Sequence, residues 1–435
     1  MSKFTIKEIR AREILDSRSN PTIEAEVILQ NGVSAKAGVP SGASTGRHEA
    51  LELRDKDKKR YNGLGVLKVV KNVNTKINRL LKGIDVRKQE EIDKKLIALD
   101  NTKNKKNIGA NAILGTSLAC CRAAAEIKKE PLYRYISNCF KFKNSPNIKL
   151  PIPMFNIFNG GVHADTNLDF QEFMVVPMAK KVSEKRRKLN KNSAEYARMG
   201  SEIFKELGKV LKERGLDTDV GNEGGYAPDI YSSIQAVDMI IAAIMRAGYM
   251  PGKDVGISID VGSSVLYDER KKKYIFKLDN ATFTNTTLIG LYHEWFRKYP
   301  IISIEDGLAE DDWQGWQEFT ELLEDEIMII GDDLFVTNID RLKEGIKKGA
   351  ANAILIKPNQ IGTLTETIQC VKLAQENNYK VIVSHRSGET NDDFIADLAV
   401  GIGADYLKAG APNRGERVAK YNRLMKIEEL LNSGI

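Results

Sequence analysis

From residue 256 onward the chain repeats one motif: a short apolar segment that ends on a polar or charged side chain. The segments are GISID, IISIE, IMIIGD, AILIK, KVIVSH and DYLK, and they end on Asp260, Glu305, Asp332, Lys357, His385 and Lys408. Successive ends from Glu305 to Lys408 lie 27, 25, 28 and 23 residues apart, and amphipathic stretches fill the gaps. That spacing is one strand plus one helix, repeated, so the sequence predicts parallel strands in a doubly wound sheet or a closed barrel. The roughly 290 residues after position 145 suit a (β/α)₈ barrel of ~250 residues with insertions. In such a barrel the residues at the strand C-termini converge on one mouth. Three carboxylates, two lysines and a histidine are therefore expected to meet there.

The first part of the chain has a different rhythm. Residues 22–29 (TIEAEVIL) alternate as a strand does, the turn Gln30-Asn31-Gly32 follows, and from Val66 to Lys129 the apolar spacing becomes helical. This predicts an α+β N-terminal domain, residues 1–140, followed by an α/β, TIM-like barrel domain over residues 146–435. The stretch 138–153, with Asn144, Ser145 and three prolines, is the expected linker.

Composition excludes several classes. The hydrophobic fraction of 42% is ordinary for a folded chain, and the longest uncharged apolar run, residues 239–245, is far below the ~20 residues of a membrane span. Lysine or arginine at positions 3, 7, 10 and 12 interrupts any secretory apolar stretch, so no export signal is expected. The four cysteines form no CxxC pair, and Cys120 and Cys121 sit in an alanine-rich helical stretch as small core residues. A reducing cytoplasm and no structural zinc are the expectation. Residues 180–191 carry seven Lys or Arg against Glu184, most of the net charge of +7. Without an aromatic residue for base stacking, that segment reads as a solvated loop and argues against a nucleic-acid partner.

Asp260, Glu305 and Asp332 offer only oxygen ligands, which suits a hard cation such as Mg²⁺ and suits zinc poorly. Lys357 and Lys408 on nearby strands are expected to lower each other's pKa, aided by the cation, leaving one neutral enough to act as a base.

The chain resembles the enolases over nearly its full length. The shared stretches include DSRSNPT (16–22), VPSGASTG (39–46), GANAILG (109–115), FNGGVHAD (158–165), QEFM (171–174), GNEGGYAP (221–228), SIEDGLAEDDW (303–313), GDDLFVTN (331–338), KPNQIGTL (357–364), SHRSGET (384–390) and ERVAKYNRL (416–424). A Lys base beside one or two Mg²⁺ ions is the pattern already described for that superfamily. The resemblance implies a glycolytic enolase that reversibly dehydrates 2-phosphoglycerate to phosphoenolpyruvate through an enolate. It implies two Mg²⁺ per active site, the first on Asp260, Glu305 and Asp332, the second engaging Ser44. It makes Lys357 the base at C2 and Glu223 the acid at the C3 hydroxyl, with Glu172 beside Glu223 raising one pKa of the pair. Arg386 and Ser387 hold the phosphate, Lys408 faces the carboxylate, and His163, Gln171 and His385 complete the pocket. It also implies a homodimer or an assembly of dimers.

Some positions depart from the family pattern. Ser19 and Lys56 stand where glycines are usual, Asn222 stands for an aspartate beside Glu223, and Gly262 and Val265 for an alanine and a glutamate. Two other readings stay open: the same enolisation on a phosphono analogue, and a non-catalytic binding role through the basic loop.

Overall fold

The computed structural model describes residues 2–43, 46–142, 149–178 and 193–433. Strands β1 (Ile6–Leu15), β2 (Pro21–Leu29) and β3 (Ser34–Gly38) form an antiparallel sheet in that order, with Gly32 at φ 90° in the turn between β2 and β3. Alternation along β2 buries Ile23, Ala25, Val27 and Leu29. Against them lies the helix Ala110–Lys128, whose alanines, Cys120 and Cys121 are buried. A side chain at Gly115 would meet Val39 at 3.0 Å and Ala25 at 3.2 Å, so the glycine lets helix and sheet approach closely.

The closed barrel is built from β4 (Ile152–Asn159), β5 (Glu172–Pro177) and β6 (Val255–Asp260). A small antiparallel sheet follows, β7 (Tyr267–Asp268), β8 (Lys273–Phe276) and β9 (Ala281–Phe283). The barrel then resumes with β10 (Ile301–Glu305), β11 (Met328–Gly331), β12 (Ala353–Ile356), β13 (Lys380–Ser384) and β14 (Tyr406–Lys408), and β14 closes against β4. Each of the six expected strand-end residues ends its strand or directly follows it.

The array is not wholly parallel as the spacing predicted: β5 runs antiparallel to both β4 and β6. The reason is local. The connection from β4 to β5 holds only the short turn Gly161–His163 and no crossover helix, and a parallel return needs a longer path. The expected linker is also narrower: Asn138 and Cys139 finish the helix Leu132–Cys139, and Ile152 and Pro153 open β4.

Period-two alternation carries the site. Met154, Met174, Val176, Ile330, Ala353, Leu355 and Ile382 form a small core cluster of their own among the barrel strands. Two residues onward on the same faces stand Asn156, Asp332, Lys357 and Ser384, and on antiparallel β5 Glu172 stands two residues before Met174. Ser258 and Ser303, joined at 2.6 Å, precede Asp260 and Glu305 in the same way. An apolar and hydroxyl layer thus forms a floor, and the charged residues stand on it.

The N-terminal unit is fastened to this mouth. Ser41 and Gly388 exchange backbone hydrogen bonds of 2.7 and 2.9 Å, and a side chain at Gly388 would meet Asp16 at 2.4 Å. The Arg122 guanidinium spans Asp392 and Asp393, and Asp93 accepts from the Thr365 amide at 2.9 Å. No helix among the described residues is long and apolar enough to cross a membrane.

Candidate active site

The pocket at the barrel mouth is lined by His163, Gln171, Glu172, Glu223, Asp260, Asp332, Lys357, His385, Arg386, Ser387 and Lys408, with Asp306, Asp333 and Ser384. Glu305 lies beneath them, fully buried, and reaches the others through Lys408. Ser44 and the basic residues 180–191 fall outside the described residues.

Lys408 is the centre of charge. Its ammonium donates to Asp260 Oδ2 at 3.0 Å and to Glu305 at 2.9 and 3.0 Å, and it lies 3.0 Å from Glu172 Oε1. Burial opposes its charge, but Asp260, Glu172 and Glu305 outweigh that and hold its pKa well above the usual lysine value. Lys357 is placed by its neighbours in sequence and space. Pro358 opens the next helical turn and keeps Lys357 extended, and the Lys357 amide donates to Thr337 Oγ1 at 2.8 Å. Its ammonium pairs with Asp332 Oδ2.

That pairing works against the expected mutual depression of the two lysines, which counted on a cation beside them. Burial and the neighbouring cations push Lys357 down, yet Asp332 in direct contact wins and its pKa is raised. A contact carboxylate outweighs a more distant like charge.

The acid side pairs two buried carboxyls. Glu223 accepts from Asn156 Nδ2 at 2.9 Å and Ser387 Oγ at 2.8 Å, and His163 Nδ1 lies 3.0 Å from its Oε1. Burial pushes Glu223 up, but His163, His385 and Arg417 overcome it and hold the carboxyl well below its ordinary range. Glu172 goes the other way, raised well above by burial and by Glu223. Of the pair, Glu172 is the one pushed towards its protonated form.

Burial and the cations Arg417, Lys408 and Lys357 outweigh Glu223 and hold the His385 imidazole well below its ordinary range. Arg417 Nη1 lies 2.6 Å from His385 Nδ1, and a guanidinium only donates, so Nδ1 accepts and the proton sits on Nε2. Nε2 is 3.7 Å from Glu223 Oε2, a donor aimed into the pocket. Arg417 also donates to the carbonyls of Arg386, Ser387 and Asn222, at 2.6, 2.6 and 3.0 Å, tying the two mouth loops together.

Ligand atoms that lie within 4.8 Å of one another occur in two sets among the described residues, His163–Glu172–Glu223 and Asp306–Asp332–Asp333. The expected trio is not drawn that tight: Asp260 and Glu305 close on Lys408, and Asp332 on Lys357. The donor set still fits a hard cation. Seven buried carboxyls, Glu172, Glu223, Asp260, Glu305, Asp306, Asp332 and Asp333, face the pocket or underlie it, against the ammonium groups of Lys357 and Lys408 and the Arg386 guanidinium. Burial and their acidic neighbours push Glu305, Asp306 and Asp333 well above the usual carboxylate range, the mark of an unbalanced negative cluster.

Four contributors escaped the sequence reading. Asp306, at φ 44°, accepts from the amides of Asp332 and Asp333 at 2.9 and 2.8 Å and so shapes the turn after β11. Arg417 lies in the ERVAKYNRL tail, Asn156 on the inward face of β4, and Glu49 just beyond the SGASTG loop. Period two would have found Asn156; only the fold reveals the others. Gly262, at φ 62°, lets the Gln171 amide lie against it, where a side chain would come within 2.1 Å.

Two family models match the chain. The one described as "Enolase, N-terminal domain" covers residues 6–136, and "Enolase, C-terminal TIM barrel domain" covers residues 147–435.

Proposed function

The chain belongs to the enolase family, and from that premise we propose that it is a phosphopyruvate hydratase, interconverting 2-phosphoglycerate and phosphoenolpyruvate with Mg²⁺. Family membership indicates a hydro-lyase with enolase-type dehydration chemistry. The observation that carries the finer reading is the sorting of charge in the mouth. Cationic Lys357, Lys408 and Arg386 stand within one pocket, beside a carboxyl pair with opposed pKa shifts.

In this reading Arg386 and Ser387 hold the phosphoryl group, and Lys408 faces the substrate carboxylate. Freed of its contact with Asp332, Lys357 would be held neutral by burial, Arg386 and Lys408; the lone pair of its Nζ then removes the C2 proton, and the electron pair left on C2 delocalises into the carboxylate. The C3 hydroxyl leaves as water with a proton from the Glu172–Glu223 pair. Glu172 stores that proton, while Asn156, Ser387 and His163 fix Glu223 at the reacting face. His385, a neutral donor, and His163 with Gln171 border the substrate. Asp260, Glu305 and Asp332 would hold the first Mg²⁺ and Ser44 would engage the second. Bound there, the metal would supply positive charge against the growing carboxylate dianion and would compete with Lys357 for Asp332.

We further propose a glycolytic role in the cytoplasm, supported by four free cysteines, and a homodimeric or higher assembly as the family resemblance implies. The purified chain should turn over 2-phosphoglycerate, with the enol product followed by ultraviolet absorbance, and should lose that activity in excess chelator. Absence of turnover with magnesium present, or full turnover in chelator, overturns the assignment.

A further inference from the structure

Arg386, the residue proposed to hold the phosphoryl group, already carries an anion from its own chain. Its Nη1 and Nη2 each lie 3.1 Å from one oxygen of Glu49, a two-point fork in which both side chains are buried. The same carboxylate accepts from the Gly46 amide at 3.2 Å, which closes the turn that presents it. Nη1 also donates to Asn359 Oδ1 at 3.0 Å, so Nη1 has two partners and Nη2 shares Glu49 with it.

We infer that Glu49 is an internal competitor for the phosphoryl seat: its carboxylate occupies the Arg386 fork, and an incoming phosphoryl group binds by displacing it. The inference rests on the reading of Arg386 as that seat. Two anions cannot share one pair of guanidinium N–H groups, and bringing a second anion beside a buried, retained carboxylate adds like-charge repulsion. A dianionic phosphoryl group, with more charge and three acceptor oxygens, can replace Glu49. A monoanionic carboxylate gains nothing by the exchange. The contact therefore selects for phosphoryl-bearing ligands, and leaving the fork also releases the turn at Gly46.

Inorganic phosphate is the probe, titrated calorimetrically into the full-length chain in chelator, with wild type, Glu49→Gln, Glu49→Asp and Arg386→Gln compared. If Glu49 vacates the fork in no more than about one molecule in ten, its removal tightens apparent phosphate affinity at least about tenfold. Glu49→Gln is expected to show that gain. Glu49→Asp keeps the charge but cannot span both nitrogens, and should gain less in the same direction. Arg386→Gln should abolish binding. A disturbed fold would weaken phosphate binding, so a gain cannot come from damage. Phosphate binding that is unchanged or weaker in both Glu49 variants, while Arg386→Gln loses it, overturns the competitor and leaves the seat standing. Binding indifferent to Arg386→Gln overturns the seat, and the inference with it.

Discussion

Replacing Lys408 with methionine tests the charge balance of the mouth directly. The substitution keeps length and apolar stem but removes an ammonium that lies 2.9–3.0 Å from Glu172, Asp260 and Glu305, in a side chain only 2% exposed. At an effective dielectric constant near 20, one contact at that distance is worth about 5 kcal/mol before desolvation. Removing one partner of a buried pair costs about 3–5 kcal/mol in practice, and here three carboxylates lose it together, so that range is a floor. With an unfolding entropy of about 0.9 kcal/mol/K for 435 residues, the melting temperature in chelator should fall by about 3–6 °C or more. The deficit should depend on pH. Glu172 and Glu305 are already held above the usual value by burial and acidic neighbours, and loss of Lys408 raises them further. A carboxyl with a raised folded-state pKa favours the fold below its unfolded value of about 4.3 and costs stability as pH rises through the folded one. The variant should therefore lie close to wild type near pH 4 and well below it at pH 8. Added magnesium should raise its melting temperature more than that of wild type, since a cation then meets an unopposed carboxylate cluster. A Lys408→Met chain that melts within a degree of wild type at every pH would refute the reasoning.

Lys357→Ala should abolish both dehydration and exchange of the substrate C2 proton with solvent deuterium, whereas Glu223→Gln should lose dehydration by about 10²–10⁴-fold and keep exchange, read by proton NMR. Asp392, held below the usual range because Arg122 outweighs its burial, stabilises the fold above its unfolded pKa. Asp392→Asn should therefore cost about 3–5 kcal/mol at pH 7, and the difference should begin to shrink below about pH 4 and be lost only as pH passes the depressed folded-state value, measured by urea midpoints. Ser19 and Lys56, at φ 60° and 61°, hold left-handed backbone that glycine adopts freely. Lys56→Gly and Ser19→Gly should each raise stability by about 1 kcal/mol, checked in the same urea series.

Barrel strands were legible because each buries an apolar run and then meets polar mouth residues, so strand-end positions announced themselves from Asp260 to Lys408. Strand direction was not. The antiparallel course of β5 depends on a connection with no crossover helix, and β5 itself, EFMVVP, is as apolar as its parallel neighbours. The two positive-φ positions in place of glycine were visible as departures, but their backbone geometry follows only from the turns that hold them.

Residue types at the mouth were equally plain, whereas the signs of their pKa shifts were not. Two lysines on nearby strands suggest mutual depression, and two glutamates suggest a raised acid; both statements concern pairs. Each outcome was decided by a third group. Asp332 touches Lys357 and reverses the first shift, while His163, His385 and Arg417 surround Glu223 and hold its pKa below that of Glu172. Those partners come from β11, from the turn after β4, from the loop after β13 and from the last helix, Gly415–Asn432. Contact distances among so many separate segments exist only in the folded chain. The same holds for Glu49, which no spacing rule brings to Arg386, 337 residues away.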